Sequence, residues 1–98
     1  MARDRLDEAK LKESLANLAG WTLASDGKSI GKTFEFKNFS EAFAFMTRSA
    51  LAAEKMDHHP DWSNSYKTVK VALSTHDRGG VTELDIDLAR RMNKYAPG

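Results

Sequence analysis

The chain contains no cysteine. That one absence removes disulfide frameworks, thiolate metal sites and a cysteine nucleophile together, and nothing requires an oxidising compartment. Long apolar runs are missing too, and no segment approaches the roughly 20 residues that a membrane-spanning helix needs. The first residues, MARDRLDEAK, are charged throughout, unlike a secretory signal, so a cytoplasmic protein is expected. A third absence is charge of one sign. Lysine and arginine total 15 against 14 aspartates and glutamates, a formal net charge of +1, and the two signs are interleaved rather than gathered into a stripe. Direct nucleic-acid binding therefore has no electrostatic footing. No repeat, linker or low-complexity segment interrupts the chain, so residues 1–98 read as a single domain.

What is present is the balance of a small globular protein, 98 residues with 41% hydrophobic and 30% charged side chains. A chain of this size supports one core, two or three helices on one sheet, and would gain from homo-oligomerisation. From Asp4 to Leu18 the apolar residues Leu6, Ala9, Leu11, Leu15 and Leu18 recur at helical spacing, and Gly20 stops the pattern. WTLASDGKSIGKTFEF reads as two strands around Asp26-Gly27, a dipeptide favoured in hairpin turns, with Gly31 weakening the second strand. Asn38 with Glu41 marks a capped helix start, and Phe39, Phe43, Met46, Ala50 and Ala53 form its expected core face. Phe45, Ser49 and Ala52 form a second strip, either a wider core face or a subunit contact. Pro60 is expected to end that helix, because it pushes His59 out of the α region. Trp62 to Thr75 alternates with period two, placing Val69, Val71 and Leu73 on one side of a long strand. After the turn HDRGG, Thr82 with Asp85 looks like a helix N-cap, followed by Val81, Leu84, Ile86, Leu88 and Met92 as an apolar side up to about Asn93. The order α-β-β-α-β-α implies an α+β fold.

The densest chemistry lies in EKMDHHPDW, Glu54 to Trp62, which holds two of the three histidines. Glu54 and His58 stand four apart and can share a helix face, while His59 and Pro60 belong to the chain leaving it, so the two imidazoles diverge. His76 closes the long strand in LSTHDRGG, where a functional loop is expected to start. A strand that begins beside the first cluster need not return its far end there, so a meeting of all three histidines is a tertiary hypothesis. Each histidine taken singly is more often a structural or solvated residue than a catalytic one, and both readings stay open for the pair. Adjacent histidines seldom chelate one ion, and the usual i, i+4 His pair is missing, so no metal is expected. Nucleophile-elbow motifs are absent as well. Tyr66 reads as a core aromatic, whereas Trp62 could form a wall for a flat heterocycle.

The segment FAFMTRSALAAEKMDHHPDWSNSYKTVKVALSTHDRGGVT resembles the signature of the pterin-4a-carbinolamine dehydratases. Its marks are a Glu-Lys-x-x-His-His-Pro-x-Trp block, a tyrosine, an alternating strand and a terminal Thr-His before a glycine-rich turn. The resemblance covers nearly the whole chain. It implies dehydration of 4a-hydroxytetrahydrobiopterin to quinonoid dihydropterin, in the recycling of a pterin used by an aromatic amino-acid hydroxylase. The pterin is the substrate, and the proton transfers involved call for no metal or redox cofactor. By resemblance, His58 and His76 are the acid/base residues, and His59 acts mainly in binding. Asp57 and Glu54 would orient or tune them, and Pro60 with the backbone around Ser74, Thr75 and Asp77 would line the pterin pocket. Some family members carry an arginine near the start of the last helix where this chain has Leu84, so that residue's role does not transfer; Arg78 is a candidate substitute. The implied fold is a single-domain, four-stranded antiparallel sheet with three helices on one face. The fourth strand would lie in Trp21–Ala24, Ser29–Phe36 or Trp62–Thr75, the last being long enough to bend into two. Dimers or tetramers through the core helix are also implied, which makes the Phe45 face the expected contact surface. The alternative is a binding module that stabilises a protein partner through that helix.

Overall fold

A computed structural model describes residues 4–97. Its first helix, α1 (Glu8–Ala16), starts where Asp7 accepts a hydrogen bond from the Lys10 N–H at 2.8 Å. The helix is shorter than its apolar spacing predicts at the N-terminal end. Leu6 lies outside it and donates its backbone N–H to Val81 at 2.8 Å, so that stretch serves as a strap rather than a turn of helix. Strands β1 (Thr22–Leu23) and β2 (Ile30–Glu35) form the expected hairpin. Gly27, at φ 73°, takes a left-handed conformation there that costs a side-chain-bearing residue strain.

The long predicted strand is two strands. β3 (Asp61–Ser65) and β4 (Thr68–Leu73) pair antiparallel from Asp61↔Ala72 to Ser65↔Thr68, around a turn at Tyr66 and Lys67. This supplies the fourth strand, and the antiparallel sheet runs β1-β2-β4-β3. Tyr66 is not a core aromatic. It occupies the hairpin tip at φ 51° and is 63% exposed, while Asn64 Nδ2 braces the turn by donating to the Tyr66 and Thr68 carbonyls, both at 3.0 Å.

The helices cover one sheet face. Ile30, Phe34, Val69, Val71 and Leu73 point into the core, and their neighbours Thr33, Glu35 and Lys70 point to solvent. Helix α2 (Phe39–Met56) begins at Asn38, which accepts from Glu41 N–H at 2.9 Å. Of the expected core face, Ala53 is buried and Met46 packs partly on the core while Phe39, Phe43 and Ala50 are exposed, and the Phe45 strip proves to be the wider core face rather than a subunit contact. Phe45 is 1% exposed and packs on Phe34 and Phe36, with ring centroids 4.6 and 5.0 Å away, and Ala42, Ser49, Ala52 and Ala53 are buried beside it. Phe43, by contrast, is 54% exposed, with Phe39 and Leu51 also on the surface. The small residues bury because they let the helix approach α3 and β4 closely around one aromatic ring. Phe45 is thus a core residue and not a contact surface.

Pro60 does not stop α2 either. The helix ends earlier, at Asp57, which takes the left-handed conformation (φ 53°, ψ 44°) while the His58 N–H returns to the Ala53 carbonyl at 3.0 Å. The last helix, α3 (Glu83–Tyr95), opens with a reciprocal capping box between Thr82 and Asp85. Near its other end, Asn93 Oδ1 accepts from Trp21 Nε1 and from Lys32 Nζ, both at 2.9 Å. Partial burial beneath these groups holds the Lys32 ammonium below the usual lysine value of 10.5.

Candidate active site

The β3–β4 hairpin decides what meets what. With Asp61 opposite Ala72, the same register carried three residues beyond β3 sets His58 across from Thr75, so the two histidine blocks sit at one end of the sheet. A cleft of about 330 Å³ opens between them. Asp57, His58 and His59 form one wall, and Ser74, Thr75, His76 and Asp77 form the other. The hairpin thereby brings together seven of the ten residues marked in the sequence.

The remaining three stand apart from the cleft lining. Glu54 is exposed and holds His59, with its Oε1 at 2.8 Å from His59 Nε2. Pro60 is half-buried and leads into β3. Trp62 packs partly against the core and lines a separate groove on the hairpin with Asp61, Ser63, Lys70, Val71 and Ala72. Arg78 stands on the turn that carries His76, but it does not line the cleft.

His58 is the fixed point of the site. The α2 terminus turns it inward, and it is 8% exposed, with Nε2 at 2.5 Å from Oδ1 of the fully buried Asp85. The other Asp85 oxygen accepts from Thr75 Oγ1 and from the Thr82 backbone N–H, both at 2.9 Å. A carboxylate only accepts, so Nε2 of His58 carries the proton in this pair. Nδ1 of the same ring has no protein partner among the described residues. It is not a buried orphan either, because Ser49 Oγ is the sole buried side-chain polar atom there without one. Nδ1 is therefore the nitrogen open to the cleft, able to take or give a proton while Asp85 steadies the ring from behind.

His76 is held differently. It opens a 3₁₀ turn, His76–Arg78, closed by Gly79 in the left-handed region at φ 69° and by the Thr75↔Gly80 bridge. Its ring is 82% exposed and its nearest charge is Asp61, with Nε2 to Oδ2 at 3.5 Å. One imidazole is thus buried and backed by a carboxylate, and the other is exposed to solvent. Asp85 is the residue that sequence reasoning missed as part of the site. Its capping-box position was visible, but a cap satisfies helix N–H groups whether or not the same carboxylate also reaches a histidine. No group of three His, Asp or Glu side chains is arranged to hold a metal ion among the described residues.

Fold and site together define a class: an α+β domain in which a carboxylate-backed histidine and a second histidine line one small cleft, an arrangement suited to proton transfer on a bound ligand. Comparison with known proteins gives the family. A family model described as pterin 4 alpha carbinolamine dehydratase matches residues 4–95. A protein of Mesorhizobium japonicum that carries the name "Putative pterin-4-alpha-carbinolamine dehydratase" is 64% identical over 98 residues, 100% of each chain. One of the same name from Bradyrhizobium diazoefficiens is 60% identical, over 97% of this chain and 98% of its own. Among solved structures, one described as a transcriptional coactivator/pterin dehydratase from Brucella melitensis is 50% identical with a TM-score of 0.94, covering 96% of this chain and 100% of that one. Another, a pterin dehydratase-like protein identified as a RuBisCO assembly factor in the alpha-carboxysome, shares the fold. It is 21% identical with a TM-score of 0.69, over 81% of this chain and 92% of that one. The chain belongs to the pterin-4-alpha-carbinolamine dehydratase family.

Proposed function

We propose that this chain is a hydro-lyase that dehydrates 4a-hydroxytetrahydrobiopterin to quinonoid dihydropterin by histidine acid/base catalysis. The observation that carries the proposal is the His58–Asp85 pair, with Nδ1 open on the cleft that His76 also lines. The substrate loses hydroxide from a carbon beside a ring nitrogen. An acid must protonate the departing oxygen, a base must take the ring N–H proton, and the products are a C=N bond and water. His58 suits the base role, because Asp85 accepts its Nε2–H and stabilises the imidazolium formed when Nδ1 gains the proton. His76, open to solvent, suits the acid role and recovers its proton from water. His59, steadied by Glu54, acts in binding, and the backbone from Ser74 to Asp77 lines the pterin site with Asp57. In a cell the enzyme would serve the recycling of a pterin cofactor behind an aromatic amino-acid hydroxylase, in the cytoplasm; among the described residues no helix is long and apolar enough to cross a membrane.

The test is turnover of 4a-hydroxytetrahydropterin by the purified chain and its variants. His58→Ala and His76→Ala should each lower kcat by roughly ten- to a thousand-fold. His59→Ala should mainly raise KM, and the double His58/His76 variant should approach the uncatalysed rate. A folded double variant with near-normal kcat would sink the proposal.

A second reading concerns assembly. Phe39 and Phe43, with centroids 5.6 Å apart, and Leu51 leave an apolar row exposed along α2. We infer that this row, rather than the Phe45 face, forms the contact of a homodimer or homotetramer, or docks a protein partner.

A further inference from the structure

Thr75 lies where the two halves of the cleft meet. Its backbone closes the His76 turn, with its N–H donating to the Gly80 carbonyl at 2.8 Å. Its side chain is buried and reaches the carboxylate that backs His58, with Oγ1 donating to Asp85 Oδ2 at 2.9 Å. Thr82 Oγ1 lies 2.7 Å from the same hydroxyl. Thr75 has one hydroxyl proton, and the carboxylate takes it. The 2.7 Å contact is therefore a donation from Thr82, whose oxygen in turn accepts the Leu84 N–H at 3.2 Å. Donation runs in a single direction, Thr82 to Thr75 to Asp85, and ends on the carboxylate that holds His58. Such a chain has no idle donor and no second arrangement of equal worth.

We propose that the Thr75 hydroxyl is a positioning group that fixes the His76 turn to the His58–Asp85 pair and so sets the separation of the two imidazoles. The inference rests on the dehydratase reading for its kinetic consequence but not for its structural one. Thr75 is well placed for this task. The His76 ring has only a distant, exposed charge beside it, so its location depends on the backbone that carries it. The nearest buried anchor on that backbone is the residue immediately before it. Without the hydroxyl, the turn and the dyad would still each form, but nothing polar would join them.

Thr75→Val keeps the shape and deletes the hydroxyl, and Thr75→Ser keeps the hydroxyl. By proton and nitrogen NMR without ligand, Thr75→Val should shift the His58 Nε2–H signal and the His76 ring resonances, while Thr75→Ser leaves both near wild type. In the dehydration assay, Thr75→Val should lower kcat ten- to a hundred-fold, the effect of a misplacement of about 1 Å, with KM changed less than about threefold. Thr75→Ser should restore kcat to within about threefold. A merely structural hydroxyl would lower the melting temperature of Thr75→Val and leave kcat and the histidine signals unchanged, which overturns the proposal. Should Thr75→Val fail to fold, the wild-type hydroxyl decides: its proton should exchange slowly with water, and rapid exchange refutes the bond to Asp85. If the wild-type chain does not dehydrate the pterin, the functional reading falls, and the NMR comparison still judges Thr75.

Discussion

Replacing Asp85 with asparagine changes almost no volume and reverses half of its hydrogen-bonding capacity. Three donors converge on the carboxylate: His58 Nε2–H, Thr75 Oγ1–H and the Thr82 backbone N–H. Asparagine offers one oxygen and one NH₂ group. The Thr82 N–H belongs to the backbone and cannot turn away, so the oxygen stays with Thr82 and Thr75, and the NH₂ group faces His58. Nε2 must then accept, which moves the ring proton to Nδ1, the nitrogen open to the cleft. That nitrogen can no longer take a proton from substrate, and protonating the ring would set Nε2–H against NH₂. The lost charge-assisted hydrogen bond should lower the unfolding free energy by about 1.5–3 kcal/mol in urea titrations. The lost base and orienting group should lower kcat by roughly 10²- to 10⁴-fold, about 3–5 kcal/mol in the barrier, with KM little changed. Stopped-flow absorbance on 4a-hydroxytetrahydropterin, corrected for the uncatalysed rate, measures kcat, and nitrogen chemical shifts of His58 report the tautomer. A folded Asp85→Asn protein within about threefold of wild-type kcat would refute this reasoning.

Four other outcomes are expected. Phe43→Glu should reduce the mass seen by light scattering while leaving dehydration intact, whereas Phe45→Ala should cost about 3–5 kcal/mol of stability as a core truncation; an unchanged mass for Phe43→Glu would place the contact elsewhere. Ser49 is fully buried with an unpartnered Oγ, so Ser49→Ala should stabilise the fold by about 1 kcal/mol and raise the melting temperature by roughly 4–8 °C, and a fall would reveal a partner for that hydroxyl. For Lys32, burial lowers the folded value, so the unfolded chain binds more protons between that lowered value and 10.5, and its contribution to stability grows as pH rises through this window. The stability difference between wild type and Lys32→Met should therefore rise with pH on approaching 10.5, and a flat or falling difference would count against the burial effect.

Much of this protein is legible in the sequence because its local signals agree with one another. Asn38, Thr82 and the Asp26-Gly27 turn each mark a boundary that the structure keeps. Two features needed tertiary information. Residues 62–75 alternate so regularly that they read as one strand, although the run far exceeds the usual five to six residues. That length already allowed the run to bend into two, as it does, but only the pairing around Tyr66 and Lys67 shows that the bend returns His76 to the side of His58. On α2, hydrophobicity ranks Phe39 and Phe43 above Ala42 and Ser49, yet burial follows what the neighbouring helix and sheet can approach, and small residues win that contest around Phe45. Asp85 illustrates a third limit. One carboxylate can close a capping box and orient a histidine together, and only the first of these roles leaves a local pattern.

The β3–β4 hairpin acts as a caliper. Its jaws are the two histidine blocks, and its pivot is the Tyr66–Lys67 turn at the opposite end of the sheet. A slip of two residues in pairing would keep every side chain on its proper face, yet it would carry Thr75 and His76 about 7 Å past His58. Tyr66 and Asn64, which touch neither cleft nor histidine, therefore help to set the gauge of the cleft by holding that pivot in one register. Sequence drift at a solvent-exposed tip would be read out as chemistry at the far end of the molecule.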